Sequence, residues 1–219
     1  MSSAIVTGAA RGIGKAVADK LAATGHDVVR VDLNPGDDIL VADVTSAEDR
    51  ARIVEAAGNV DVLVNNAGIT RDARIVKMTE EDFLAVIRVN LGAAYELTRA
   101  CTFNDGACVV SLASRAYLGN FGQFNYSASK GGLVGMTRAL ALELAPRVRV
   151  NAIAPSLTAS EMTLAMPEKV LSKMIASIPM GRMGEPEEIA ATVAALASDD
   201  MAYVTGQVVV ACGGRSLAP

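Results

Sequence analysis

Short apolar runs alternate with longer stretches of helical periodicity along nearly the whole chain. Ala4-Ile5-Val6, Asp27 to Val31, Asp61 to Val64, Cys108 to Ser111 and Val148 to Ile153 read as strands, with Val208-Val209-Val210 as a last one. Gly12 to Ala23, Glu80 to Ala100, Gln123 to Leu144 and Pro186 to Ala197 read as helices. Such β-α alternation predicts an α/β fold, a doubly wound parallel sheet with helices on both faces. Right-handed crossovers then bring every strand C-terminus to one edge, where ligands bind. Residues 157–179 carry several methionines and no strand pattern, and read as a helical excursion that covers a site.

A chain of 219 residues predicts one domain, 1–219, with a substantial core. Half the residues are hydrophobic, and alanine, valine, leucine and glycine dominate the composition, as buried parallel strands covered by helices require. A net charge of −4 gives no basic footprint for nucleic acid. Cys101, Cys108 and Cys212 lack metal-ligand spacing and read as free thiols; no metal is expected. The one histidine, His26, reads as a loop residue between a helix and a strand. Met1-Ser2-Ser3 runs straight into a strand, and no apolar run reaches spanning length. A cytoplasmic protein without membrane partners is expected.

Thr7-Gly8-Ala9-Ala10-Arg11-Gly12-Ile13-Gly14 follows the first strand and opens the first helix. Glycine allows the backbone to turn tightly or lie against a phosphate. The helix N-terminus offers unpaired amides and a positive dipole end to a pyrophosphate. Strand before and helix after is the context a dinucleotide site needs. Asp32 ends the second strand, where a carboxylate accepts bonds from adenosine ribose hydroxyls and repels a 2′-phosphate. With Leu33 next to it, the expected preference is NAD(H), NADP(H) being the alternative; Arg30, on the same side of the strand, softens it. Asp43-Val44 ends a further short strand and either faces the adenine or precedes a helix start at Thr45-Ser46.

Tyr126 and Lys130 stand one helical turn apart, so phenol and ammonium share a face. A nearby positive charge favours phenolate, and the tyrosine pKa is expected to fall from about 10. A tyrosine so tuned exchanges a proton with an alcohol or ketone oxygen. Ser114 lies upstream, with Ser111 as its competitor further back in the strand.

With Thr7 to Gly14, Asn65-Asn66-Ala67-Gly68, Asn90, Ser114 and Tyr126 to Lys130 in this order, the chain resembles the short-chain dehydrogenase/reductase family, near its 3-oxoacyl-acyl-carrier-protein reductase branch. The resemblance implies a single Rossmann-like domain, a nicotinamide cofactor and self-association into homotetramers or homodimers. It also implies interconversion of an alcohol and a carbonyl compound. By position, Gly8, Arg11, Gly12, Ile13 and Gly14 would cradle the dinucleotide, Asp32 would set NAD preference, and Asp43 and Val44 would contact adenine. Asn66, Ala67 and Gly68 would lie beside the adenine ribose, and Pro155, Thr158 and Ser160 near the nicotinamide carboxamide. Tyr126 would be the acid/base, and Lys130 would bind the nicotinamide ribose and lower the tyrosine pKa. Ser114 would donate to the substrate oxygen. Asn90 would hold the helix geometry through which water connects Lys130 to solvent.

Some features depart from the family pattern. The Ser114-Tyr126 gap is one residue short, so Tyr117 to Gly122 is expected to form a tighter loop. Ser156 stands where many members have glycine, which predicts backbone strain, and Cys212 stands where an acidic or amide residue is common. The first functional reading is a small ketone or secondary alcohol, met by an apolar pocket of Tyr117, Leu118, Phe121 and Phe124 with Met162, Leu164 and Met166 on the lid. The second is a 3-oxoacyl thioester, for which Gly184 to Ile189 and Tyr203 to Gln207 argue, with Arg147 as a candidate contact for an acidic carrier. A dinucleotide-binding module without turnover is the third, opposed by the intact Tyr126-Lys130 pair.

Overall fold

The computed structural model describes residues 2–164 and 166–217. Its strands are β1 (Ser2–Thr7), β2 (His26–Asp32), β3 (Ile39–Val41), β4 (Asn59–Asn65), β5 (Thr102–Leu112), β6 (Val148–Pro155) and β7 (Val208–Ala211). They form one parallel sheet in the order β3-β2-β1-β4-β5-β6-β7. The order reverses between β1 and β4, so a crevice opens at their carboxyl ends.

The helices are α1 (Gly12–Ala23), α2 (Ala47–Ala57), α3 (Glu80–Ile87), α4 (Ala93–Ala100), α5 (Phe124–Leu144), α6 (Glu161–Leu164), α7 (Glu168–Ala176) and α8 (Pro186–Ala197). Along β1 the side chains divide with period two: Ala4 and Val6 pack with Val17, Leu21, Ile189 and Val193 under α1 and α8. Ile5 points the other way, among Ile53, Leu97 and Ala141 of α2, α4 and α5. Both faces of the central strands are therefore covered, while the edge strand β3 keeps Val41 exposed.

Three local expectations are corrected. The stretch from Glu80 to Ala100 is two helices, α3 and α4, joined by a π-helical turn over Arg88–Gly92 that contains Asn90. The strand before Asp43-Val44 ends at Val41, and α2 follows at once, with the Ser46 side chain accepting the Asp49 N–H. His26 is the first residue of β2 rather than a loop residue. The 157–179 excursion holds two helices, α6 and α7; Ala165 and the Met162 side chain lie outside the described residues.

The ends of β1 and β4 are tied by one buried hydroxyl. Thr7 Oγ1 accepts the N–H groups of Asn66 and Ala67, both at 3.0 Å, and donates to the Val64 carbonyl at 3.3 Å. Asn66 Nδ2 returns bonds to the carbonyls of Thr7 at 2.8 Å and Gly8 at 3.0 Å. The glycine turn is thus fixed against β4 before any ligand arrives. Thr7→Val keeps the shape but strands two buried amides. It is expected to lower unfolding stability by about 1–3 kcal/mol in urea titration; an unchanged midpoint would show that the tie contributes nothing.

Candidate active site

A cleft of about 580 Å³ runs along the carboxyl ends of the central strands. Arg11, Ile13, Asn66 and Gly68 border one stretch, Ser114, Tyr126 and Lys130 another, and Pro155, Thr158 and Ser160 a third. Residues far apart in sequence meet here because parallel strands deliver all their C-termini to one edge.

The glycine turn has the form of an anion cradle. Gly8 and Gly12 have φ of +66° and +55°, in the left-handed region. A Cβ at Gly14 would lie 1.9 Å from the Gly8 carbonyl oxygen, so only glycine lets α1 start this close to the turn. The α1 N-terminus has no side-chain cap and no acidic residue in its first turn. Its leading amides and dipole remain available to a pyrophosphate, which fits a dinucleotide. At the end of β2, Asp32 Oδ2 accepts the Ala10 N–H at 3.0 Å, and Oδ1 accepts the Asn34 N–H at 2.9 Å and Asn34 Nδ2 at 3.0 Å. Arg30 is turned away from it, paired with Asp19 at 2.6 Å. Asp43 Oδ1 accepts both the N–H and the hydroxyl of Thr45 at 2.8 Å, while Val44 borders a small cavity with Thr7 and Ala67.

The Lys130 side chain is 4% exposed and its Nζ donates to the Leu112 carbonyl, at 2.5 Å, at the end of β5. Burial pushes its pKa down to about 8. The ammonium lies 5.6 Å from the centre of the Tyr126 ring. The expected fall of the tyrosine pKa is not found: burial pushes the phenol up, the Ser114 hydroxyl pulls it down, and the Asp72 carboxylate adds to the rise. Desolvation of a phenolate in this cleft outweighs the help of its neighbours. Ser114 also caps the following turn, accepting the Ala116 N–H at 3.1 Å. Ser111 is fully buried within β5, away from the cleft wall.

Asn90 is 1% exposed. Its Oδ1 accepts the Ile69 N–H at 2.8 Å, and its Nδ2 donates to the Ile69 carbonyl at 3.0 Å and to Ser129 Oγ at 3.1 Å. The π-helical turn aims it at these partners, and the pattern of a continuous helix gave no hint of that turn. A Cβ on Gly68 would stand 3.2 Å from Asn90 Oδ1, tighter than an ordinary contact, so Gly68 leaves room for the amide; Lys130 Nζ, at 3.6 Å, would be in ordinary contact.

Other expectations change. Gly119 and Gly122, at φ of +101° and +78°, absorb the shortened loop before α5. Ser156 keeps an ordinary negative φ, so no strain is stored there, and its N–H donates to the Ala211 carbonyl at 3.1 Å. Cys212 Sγ accepts the Ser216 N–H at 3.4 Å and so closes the turn after β7. The expected aromatic pocket is absent from the cleft wall: Phe121 is 87% exposed, and Phe124 stacks on Phe83 at 5.6 Å. Phe124 precedes Tyr126 by two residues and so lies on a different face of α5. Arg147 pairs with Asp105 at 2.6 Å at the amino ends of β5 and β6, the far edge from the cleft. Ser160 accepts the Thr163 N–H at 3.1 Å, and Thr158 bridges to Gly184.

A lowered lysine pKa has a defined sign. Between about pH 8 and the unfolded value of 10.5, the unfolded chain binds more protons at this site. Stability should therefore rise with pH in that window relative to Lys130→Met, by about 3 kcal/mol in all. Parallel denaturation curves of the two proteins across pH 7–11 would contradict the burial.

The family model described as Enoyl-(Acyl carrier protein) reductase matches residues 8–216. The 3-oxoacyl-(acyl-carrier-protein) reductase FabG of Thermotoga maritima is 42% identical, covering 96% of this chain and 96% of its own. The acetoacetyl-CoA reductase of Rhizobium meliloti is 40% identical over 98% of both chains. The BbsD subunit of the (2S)-((R)-hydroxy(phenyl)methyl)succinyl-CoA dehydrogenase of Thauera aromatica is 40% identical, covering 98% of this chain and 96% of its own. A short-chain dehydrogenase/reductase from Brucella melitensis, titled a glucose/ribitol dehydrogenase, superposes with a TM-score of 0.92 at 32% identity, covering 98% of this chain and 96% of its own. Near-complete matches in sequence and in fold agree with the glycine turn and the Tyr126-Lys130 pair, and the chain belongs to the short-chain dehydrogenase/reductase family of oxidoreductases.

Proposed function

We propose that the protein interconverts a 3-hydroxyacyl thioester and its 3-oxoacyl counterpart, with NAD(H) as the preferred cofactor. What carries this reading is the agreement among relatives: three that cover 96% or more of the chain are named as oxidoreductases of acyl thioesters. The small-ketone reading leaned on an aromatic pocket that is not on the cleft wall, and it becomes the second choice.

The nicotinamide supplies the hydride in reduction and accepts it in oxidation. Gly8, Arg11, Gly12, Ile13 and Gly14 would hold its pyrophosphate, and Asp32 its adenosine ribose. Asp43 and Val44 would meet the adenine, with Asn66, Ala67 and Gly68 beside the same ribose. Pro155, Thr158 and Ser160 would meet the carboxamide. During reduction negative charge grows on the substrate oxygen, and the Ser114 hydroxyl and the protonated Tyr126 phenol are the donors for it. A phenol whose pKa is raised by burial remains protonated at neutral pH and has its proton in place to give. The Lys130 ammonium stabilises the phenolate left behind. Asn90 keeps open the helical turn through which water would reach Lys130. Helices α6 and α7 serve as the lid over the substrate, excluding water when closed.

Asp32 argues for NAD(H), since its carboxylate opposes a 2′-phosphate. Arg30 is engaged by Asp19, so the nearest strand cation does not soften that preference. We place the protein in the cytoplasm as a single domain that self-associates through α4 and α5, on whose surfaces Tyr95 and Leu142 are exposed. No helix among the described residues is long and apolar enough to cross a membrane.

Reduction of acetoacetyl-CoA with NADH, followed by cofactor fluorescence, tests this reading. Tyr126→Phe is expected to lose about 10²–10⁴-fold in kcat while NADH still binds; most of the activity surviving would remove Tyr126 as the acid. Asp32→Ser should raise the NADPH-to-NADH ratio of kcat/KM by at least about tenfold, as loss of one charge repulsion of about 1.4 kcal/mol would give. An unchanged ratio would place the cofactor preference elsewhere.

A further inference from the structure

Tyr126 stands in the first turn of α5, where a helix leaves its leading N–H groups without intrahelical partners. The residue that caps a helix ordinarily accepts one of these bonds with its side chain. Gln123 holds that place and makes no such bond. Its amide is engaged elsewhere: Oε1 accepts Asn120 Nδ2 at 2.6 Å, and Nε2 donates to Asp72 Oδ2 at 2.8 Å. The Tyr126 N–H donates instead to Asn125 Oδ1, at 2.8 Å.

Asn125 also reaches beyond its own helix. It is fully buried, and its Nδ2 donates to the carbonyl of Arg71, 54 residues away, at 2.8 Å. A longer bond of 3.4 Å runs from the same nitrogen to the Asp82 carbonyl. Ile69, Thr70 and Arg71 border the catalytic cleft. One side-chain amide therefore joins a stretch of cleft wall to the backbone of Tyr126.

A second connection runs between the same two places. The Tyr126 carbonyl accepts Ser129 Oγ at 2.8 Å, and Ser129 Oγ accepts Asn90 Nδ2 at 3.1 Å. Asn90 in turn bonds both backbone groups of Ile69. The two connections close a ring that holds Tyr126 by its N–H and by its carbonyl. Asn90, Ser129 and Asn125 are each 1% exposed or less. Both Asn90 and Asn125 use Nδ2 for two acceptors, so neither can turn without stranding a buried group. The Gln123-Asp72 bond and the pairing of Ala73 with Gln123 fasten the same loop further out, but neither involves the Tyr126 backbone.

We propose that Asn125 is a positioning residue for the reaction: by joining the Tyr126 N–H to the Arg71 carbonyl, it fixes the phenol relative to the cleft wall. The inference rests on the reading of Tyr126 as the acid. Hydride and proton must reach the two atoms of one carbonyl group, and a misplacement of about 1 Å costs up to about 10²-fold in rate. Asn125 touches neither substrate nor cofactor and acts only through the helix start that carries Tyr126.

The test compares Asn125→Ala, Asn125→Asp and Tyr126→Phe with the wild-type protein. NADH titration, turnover of acetoacetyl-CoA per bound NADH, and amide hydrogen exchange read by mass spectrometry are measured on each. Asn125→Ala should bind NADH with unchanged Kd and stoichiometry and lose about 10–100-fold in kcat. Exchange should quicken in peptides holding residues 69–73 and Tyr126, and not in those of β6. Asn125→Asp keeps an acceptor for the Tyr126 N–H and loses the donor to Arg71. Its exchange should quicken at 69–73 alone, and its kcat should fall less than that of Asn125→Ala. A kcat within about twofold of wild type in both variants would overturn the proposal. So would weakened NADH binding with faster exchange throughout, the mark of a residue that only holds the fold. If Asn125→Ala does not fold, Asn125→Asp carries the reading at 69–73. If acetoacetyl-CoA is not reduced, or Tyr126→Phe keeps its activity, the functional reading fails by itself. Quickened exchange confined to 69–73 and Tyr126 then still supports the ring, and unchanged exchange counts against it.

Discussion

An ammonium held almost out of water is the constraint on which the rest of the site depends. Lys130 loses most of its hydration, a cost of several kcal/mol for an isolated ion, and has the Leu112 carbonyl as its acceptor. That contact requires β5 to end where it does and α5 to lie across it in one register. The same register sets Tyr126 one turn away, on the cleft that Ser114 also borders. Gly68 stays small so that the Asn90 amide fits beside it, and Asn90 is carried by the π-helical turn. Displacing any of these would leave a buried polar group without its partner.

The fold was legible because its cause is local and repeated. Strands dry on both faces must be apolar throughout, and helices between them must carry a stripe, so element type follows from pattern. Residues whose role depends on strand ends were legible too: Asp32, Ser114 and the glycine turn all fall at carboxyl termini. The turn at Arg88–Gly92 was not legible, since the apolar pattern from Glu80 to Ala100 fits a continuous helix and only the packing against Ile69 and Ser129 breaks it. The direction of the Tyr126 pKa failed for a related reason. Pair spacing shows the neighbour, whereas burial, which dominates, is a property of the assembled cleft. Phe124 and Arg147 were misplaced because nearness in sequence does not give the face of a helix or the edge of a sheet.

The two ends of the cleft differ in electrostatic character. At β2 a carboxylate, Asp32, is braced by Ala10 and Asn34 at the carboxyl end of the strand. Among the described residues that border the cavities at the ends of β5 to β7, the one carboxylate is Glu188, which Arg182 holds through two bonds of 2.7 Å. The Tyr126-Lys130 pair borders the cleft between them, on the same edge of the sheet.

The most direct measurement is a single-turnover competition. Protein pre-loaded with NADH is mixed with acetoacetyl-CoA and 2-butanone together, and the fraction of hydride delivered to each is read by mass spectrometry. The thioester reading expects nearly all of the hydride on acetoacetyl-CoA at equal concentrations. Hydride found chiefly on the butanone would contradict it and return the small ketone to first place.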